Sequence, residues 1–324
     1  MLRSPTVSND IGDASIVDLL NGLVADMADL PHPGAGETWV RWRGLIDFAA
    51  RDLALGRLVE GHVDALAILR ELNRAELIEP PATWGVWAAG TGDLVATPLS
   101  GGWRLTGVKA WCSGSLQIDR ALVSAQGPDG ALLFALPPNT EGITRELGTW
   151  SPLGMDETCS ETLHFDLAVA KSSLIGGVDS YVNRPGFHHG GAGVAACWYG
   201  GAIAVVERLA QRADENVFNT VRWGRCRARL EAAGARLEMG AREIDRNPHD
   251  PTVGRRVAAS VRLSVEEACR HTLTDVVEVL GAGALAHDVE HHRRVANLMV
   301  YLRQLHPDRD AGHYGSLGGE RLKW

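Results

Sequence analysis

The apolar residues of this chain change period twice, from three-and-four to two and back again, and that order constrains the fold more than any single motif. From Ser15 to Leu30 the positions Ile16, Leu19, Leu20, Leu23, Val24 and Met27 mark one face of an amphipathic helix, which Pro31-His32-Pro33-Gly34-Ala35-Gly36 breaks. A longer helical stripe runs from about Arg43 to Leu72 through Leu45, Ile46, Ala49, Leu53, Leu58, Leu66 and Leu69. Gly56 or Gly61 is the expected bend, and Pro80-Pro81 the stop. Strand signals follow. Trp103 to Trp111 succeeds a Ser100-Gly101-Gly102 turn, and 121–125 and 131–136 flank the hairpin turn Gly127-Pro128-Asp129-Gly130. Leu163, Phe165, Leu167 and Val169 alternate with polar neighbours, the pattern of a half-buried strand. Helical patterns then return over roughly 192–212, 224–246, 252–280 and 288–304, broken at Asn247-Pro248-His249-Asp250-Pro251 and Gly281-Ala282-Gly283. Helices, strands, helices without alternation exclude a doubly wound α/β sheet. The expected organisation is α+β and multidomain: a short helical part over 1–82 with a loose tail at 1–13, a β domain over 83–175, and a helical part over 176–324.

Composition narrows the function classes. With 324 residues, 45% of them hydrophobic, the chain has material for a large core. A net charge of −8 without a basic run argues against a nucleic-acid or other polyanionic partner. Cys112, Cys159, Cys197, Cys226 and Cys269 are scattered singly, with no CxxC pair, which fits reduced thiols rather than a disulfide framework or a zinc site. No apolar run reaches the ~20 residues of a membrane span, and the polar start at Met1 to Asp13 lacks a secretory pattern, so the expected location is cytoplasmic.

Four local matches, in order, resemble the acyl-CoA dehydrogenase family. Gly102 to Gly114 (GWRLTGVKAWCSG) resembles that family's GxxLxGxKxWxTNG, shortened by one residue; Leu153 to Asp166 is similar to its LGMRxSxTxxxxFD stretch. Gly193-Val194-Ala195-Ala196 with Gly200-Gly201-Ala202 is similar to the start of the first long helix of the family's bundle. Val277 to Ala284 resembles VQxxGGxG, with Glu278 in place of glutamine. The resemblance covers about 45–305. It implies a helical first domain, a β-barrel-like middle domain, a C-terminal four-helix bundle, FAD as cofactor, an acyl-CoA or acyl-carrier thioester as substrate, and a homodimer or homotetramer. Transferred onto this sequence, it implies that Trp111 and Ser113 meet the flavin. The physics is compatible: an indole packs on a flat ring system and a hydroxyl tunes it by hydrogen bonding. The family's second flavin loop falls on 85–93, which makes Val86, Trp87 and Ala88 candidates. Gly281 and Ala282 would approach the adenosine end from a neighbouring subunit, and Gly281 is also a helix C-cap candidate.

The chain departs from the family where its chemistry is done. Roughly the first third of the family's helical domain has no counterpart, and its R-x-x-F-G motif has no clean match. Arg222-Trp223-Gly224-Arg225 comes nearest and reads as solvated helix arginines. Removing a proton α to a thioester requires a positioned base, yet the segment aligned with the family's glutamate reads Val300-Tyr301-Leu302-Arg303-Gln304-Leu305-His306. The alternative position, near His189-Gly190, carries no acid either. His188 and His189 are the candidate bases, since imidazole titrates near neutral pH, and His306 is a further one. Beside the dehydrogenase reading stand two others. One is a monooxygenase of the same fold fed by a flavin reductase or other electron-transfer partner, which needs no such glutamate. The other is a non-catalytic subunit in a heteromer with an active paralogue.

Other motifs carry less. Gly191-Ala192-Gly193-Val194-Ala195-Ala196 fits a dinucleotide fingerprint but does not follow a strand, so a Rossmann site is not expected. His287, Asp288, Glu290, His291 and His292 lack the frame of a metal site and read as a solvated helix face, so no metal is expected. Asp308, Arg309 and Asp310 read as a local ion-pair network.

Overall fold

The computed structural model describes residues 16–22, 27, 30–78, 82–90 and 94–317. The first helices are α1 (Ile16–Gly22), α2 (Thr38–Arg51) and α3 (Leu53–Glu71). Eight strands follow: β1 (Trp84–Trp87), β2 (Leu94–Leu99), β3 (Gly102–Cys112), β4 (Arg120–Gln126), β5 (Ala131–Leu136), β6 (Ile143–Glu146), β7 (Glu161–Ala170) and β8 (Leu174–Ile175). The chain ends in α4 (Ser180–Asn183), α5 (Gly186–Gln211), α6 (Val217–Arg246), α7 (Pro251–His287), α8 (Val289–Tyr301) and α9 (Pro307–Ser316). The tail at 1–13, much of the helix expected over 15–30, and Pro80-Pro81 lie outside the described residues.

The long helical stripe expected from Arg43 to Leu72 is two helices, and neither glycine bends it. The break is Asp52, in extended conformation, whose carboxylate accepts the Leu55 N–H at 2.9 Å and caps α3. Gly56 serves the turn differently: a Cβ there would lie 2.7 Å from the Cα of Ala49, so only glycine lets α2 and α3 fold this closely. The helices α5, α6 and α7 begin earlier than their apolar patterns. Asn216 caps α6 by accepting the N–H groups of Phe218 and Asn219, each at 3.0 Å, and Asp250 with Pro251 does the same for α7. The glycine-rich start of α5 is held by Glu71, which accepts the Gly186 N–H at 2.9 Å and pairs with Arg184 at 2.7 Å.

The sheet runs β6-β7-β3-β2-β4-β5-β8, with β1 parallel to β4. Strands β1, β2 and β6 had no sequence signal: β2 contains Pro98, and Ile143-Thr144-Arg145-Glu146 is too short to show a period. One continuous core runs from α2 and α3 through the sheet interior into the long helices, joining Trp42, Leu45, Leu105, Phe165, Trp198 and Leu237. A second, smaller cluster sets Leu66 and Leu69 of α3 against Leu122, Leu133 and Ile175. The helix α5 lies at the centre. At Gly200 a Cβ would come within 2.4 Å of the Ile46 carbonyl oxygen, so α2 rests directly on α5.

Candidate functional site

Where the sheet meets the helices lies a cavity of about 1660 Å³. Ordinary small-molecule pockets hold roughly 300–1,000 Å³, so this one has room for a cofactor and a substrate together. Its sheet-side wall is built by a bulge. The register of β3 against β7 shifts between Lys109 and Cys112, and Trp111 has a φ of +63°. That turn throws the Trp111 indole outward, 61% exposed, where it meets Trp150 edge-on with centroids 5.6 Å apart. Below it runs a ladder of hydroxyls. The Ser113, Ser160 and Thr158 hydroxyl oxygens follow one another at 2.8 Å, and Thr158 donates to the Met155 carbonyl at 2.7 Å.

The helix-side wall carries charge that the sequence reading passed over. Glu60, Asp64 and Arg57 of α3 project into the cavity. The Arg57 guanidinium donates to Glu60 at 2.5 Å, and Arg41 donates to Asp64 at 2.7 Å. Burial lifts the Glu60 carboxyl to about 7, with Arg57 pulling the other way and Asp64 adding to the rise. Arg262 donates to the Gly191 carbonyl at 2.9 Å and stacks 4.7 Å from the Trp198 ring. Further out, Arg270 and Arg303 share Glu266, at 3.6 and 2.9 Å. Their excess of guanidinium over carboxylate makes the outer cavity cationic, a setting suited to a phosphate. The signal for Glu60 was present: acids at 60 and 64 fall on one face, one turn apart, in a helix whose other residues are almost all buried.

The structure gathers some of the sequence candidates and separates others. Trp111, Ser113, Val86, Ala88 and His188 line the cavity, and so does His306. Trp87 points the other way along β1, buried, and donates its indole N–H to the Ser113 carbonyl at 2.9 Å. His189 is 2% exposed and off the cavity wall; a Cβ added at either Gly34 or Gly254 would lie 3.4 Å from its ring. Burial holds its imidazole down to about 4, so it is neutral at physiological pH. Gly281 breaks α7 with φ +66° and stands with Ala282 outside the cavity of the single chain. Residues 91–93 of the second expected loop lie outside the described residues.

Further expectations resolve at the helices. Arg222 is partly exposed but ion-paired, with Asp275 and with Glu278 at 3.2 Å, and Arg225 is exposed as expected. Nor does the face at 287–292 stand wholly in water, since His291 is buried, and among the described residues no three metal-ligating side chains converge. Arg309 and Asp310 do pair, at 3.1 Å. The GxGxxA segment lies inside α5 with no strand before it. Among the described residues all five cysteines are free, and no helix is long and apolar enough to cross a membrane.

No protein-family model and no curated protein matches the sequence. Solved structures do match it. The dibenzothiophene monooxygenase TdsC from Paenibacillus sp. A11-2 aligns at 19% identity over 92% of this chain and 86% of its own, with a TM-score of 0.77. TdsC has been seen with FMN and with FMN and indole together. The methanesulfinate monooxygenase MsuC from Pseudomonas fluorescens aligns at 18% identity over 92% and 87%, with a TM-score of 0.71. XiaF from Streptomyces sp., in complex with FADH2 and glycerol, aligns at 17% identity over 93% and 94%, with a TM-score of 0.74. At such identities the likeness establishes the fold, which is that of the acyl-CoA dehydrogenases: an α+β chain with a helical N-terminal part, a β-barrel-like middle and a C-terminal helical bundle.

Proposed function

We propose that this chain is a flavin-dependent monooxygenase that takes reduced flavin from a separate reductase and uses dioxygen to oxygenate a small organic substrate. The observation that carries this reading is the cavity wall at 299–306. It presents Met299, Val300, Tyr301, Arg303, Gln304 and His306 with no carboxylate where the dehydrogenases of this fold keep their base, and the structural neighbours TdsC and MsuC are monooxygenases.

The residues present fit a flavin. An exposed indole held at a bulge offers a face for a flat ring system, and the Ser113–Ser160–Thr158 ladder offers hydroxyls to its polar edge. Arg270 and Arg303 keep unspent donors for a phosphate. When bound, reduced flavin would supply the two electrons that activate dioxygen. Phe187, Val194 and Leu273 exclude water from the remaining space and favour an apolar substrate body. Neighbours hold FMN or FADH2, so the proposal is for a flavin with either tail.

The second reading is the dehydrogenation of an acyl thioester with FAD. Glu60 favours it, because α3 brings a carboxylate into the cavity by a route other than the family's late turn. One experiment separates the two. The purified chain is loaded with FMN or FAD, mixed anaerobically with a panel of acyl-CoAs, and then, after reduction by a flavin reductase, exposed to oxygen with indole or dibenzothiophene. Oxygen uptake with product formation and no bleaching by acyl-CoAs is the expected result. Bleaching by an acyl-CoA establishes the dehydrogenase. Failure to bind either flavin overturns both and leaves a non-catalytic partner subunit.

A further inference from the structure

We propose that Glu60 is the proton-transfer residue of the cavity, borrowing a proton from an N–H or O–H of the substrate while oxygen is attached and returning it to the product. The inference rests on the monooxygenase reading and names a substrate class for it: an aromatic amine, phenol or indole-like compound rather than one without a protic group.

The argument begins with placement. Glu60 lies on α3 across the cavity from the bulge that presents Trp111, and its residue is 7% exposed. A carboxylate this buried persists only if something compensates its lost hydration. Arg57 is that group, at 2.5 Å. Arg41 of α2 adds a weaker pull, but it is committed to Asp64, one turn along the same face, whose own charge opposes ionisation of Glu60. The remaining ionisable groups facing Glu60 are Tyr301 from α8, Cys197 from α5, Arg262 from α7 and Tyr181 from α4. Burial raises the Tyr301, Tyr181 and Cys197 protons above their ordinary range, so all three stay protonated near neutrality. None of these neighbours changes charge near neutrality alongside Glu60. Burial lifts it to about 7, the range in which a base is both free to accept and able to return a proton. The other titratable candidates are less well placed. His188 lines the cavity, but burial, with Arg255 adding to it, holds its imidazole below the ordinary range; His189 faces away from the cavity, and His306 is exposed.

The chemistry balances. One dioxygen is consumed with two electrons and two protons from reduced flavin; one oxygen atom is inserted into a substrate C–H bond, giving C–OH, and the other leaves as water. Withdrawing the N–H or O–H proton to Glu60 makes the adjacent aromatic carbon a better nucleophile toward electrophilic oxygen. The same proton goes back when the product forms.

The test has two arms on the full chain. In the first, infrared difference spectra of wild type against Glu60→Gln are recorded across pH on flavin-free protein, reading the protonated-carboxyl band directly. In the second, FMN-loaded wild type, Glu60→Gln and Glu60→Asp are compared on phenol, aniline and indole, with dibenzothiophene as the probe lacking a protic group. Thermal melts of each variant establish that it is folded. The expected result is a carboxyl that titrates near neutrality. It is joined by a loss of roughly 10²-fold or more in turnover of the protic probes by Glu60→Gln, with their acidic limb abolished and partly restored by Glu60→Asp. A carboxyl ionised throughout overturns the proposal, as does an unchanged rate and pH profile in Glu60→Gln, or oxygenation confined to dibenzothiophene. Binding of flavin with no turnover of any protic probe by wild type overturns it as well. Absence of flavin binding is a different failure: it removes the functional reading on which the inference stands.

Discussion

The indole N–H of Trp87 donates to the backbone carbonyl of Ser113 at 2.9 Å, so the end of β1 is tied to the turn that follows β3. Two candidate cavity walls are thereby fixed by one bond from a side chain that is itself buried and turned away from the cavity. Trp87→Phe keeps most of the packing and removes the donor, leaving the carbonyl unpaired. A net hydrogen bond is worth about 1 kcal/mol. The expected outcome is a roughly 5-fold weaker FMN affinity with a modest drop in Tm, read by flavin fluorescence titration and calorimetry.

Trp111 behaves oppositely. Its side chain is 61% exposed and contributes little to the core, so Trp111→Ala leaves the thermal transition within a degree or two of wild type. Loss of an aromatic stacking face costs ~1 kcal/mol beyond the area it covers. FMN affinity is expected to fall about 10-fold or more, while far-UV circular dichroism is unchanged. Unaltered flavin affinity in this variant would remove Trp111 from the site.

What the sequence showed and what it hid divide along physical lines. The order of helices and strands was legible because periodicity survives whatever packs against it, and the hairpin at Gly127-Pro128-Asp129-Gly130 was legible because its turn chemistry is local. The break at Asp52 was not, because a capping aspartate between two apolar helices looks like any polar residue on a stripe. His188 and His189 show the limit more sharply. Adjacent residues on a helix point about 100° apart, and only the contacts of α5 with the loop at Gly34 decide that His188 lines the cavity and His189 does not. Glu60 is the opposite case: its signal is in the sequence, an acid with Asp64 one turn on inside an otherwise apolar helix.

The sheet is docked on the helices at a point where no methyl group fits. A Cβ on Gly154 would lie 2.4 Å from the backbone carbon of Ala296, and next to it the Met155 N–H donates to the Asn297 side chain at 2.6 Å. Gly154→Ala must push the 150–160 turn off α8, and overpacking against backbone costs about 3 kcal/mol. Because the same turn carries Thr158 and leads to Ser160, the variant is expected to lose flavin affinity together with stability. Asn297→Ala removes only the bond and should cost less, about 1–2 kcal/mol. Chemical denaturation of the two variants orders them; the reverse order would show that the hydrogen bond, and not the close backbone approach, governs docking.

Two buried histidines make the fold sensitive to acid. His62 accepts the Trp84 N–H through Nδ1 at 3.1 Å, which requires a neutral ring, and burial, aided by Arg41, lowers it to about 4. His189 is lowered to about 4 by burial, with His188 and Arg184 adding to the effect. In the unfolded chain both titrate near 6.5. The sign follows directly: between those values the unfolded state binds protons that the folded state refuses, so stability is full above pH 6.5 and is lost as pH falls toward 4. Each group contributes about 3 kcal/mol over that window. His189→Asn, which cannot charge, is expected to melt lower than wild type at pH 7.5 because its packing is poorer. It should lose less on going to pH 4.5, so the two curves of Tm against pH converge. Glu71 and Asp245, the carboxylates nearest His189, are the same in both proteins, and the difference between the curves therefore isolates the imidazole. Parallel curves would mean that His189 is already protonated in the folded protein.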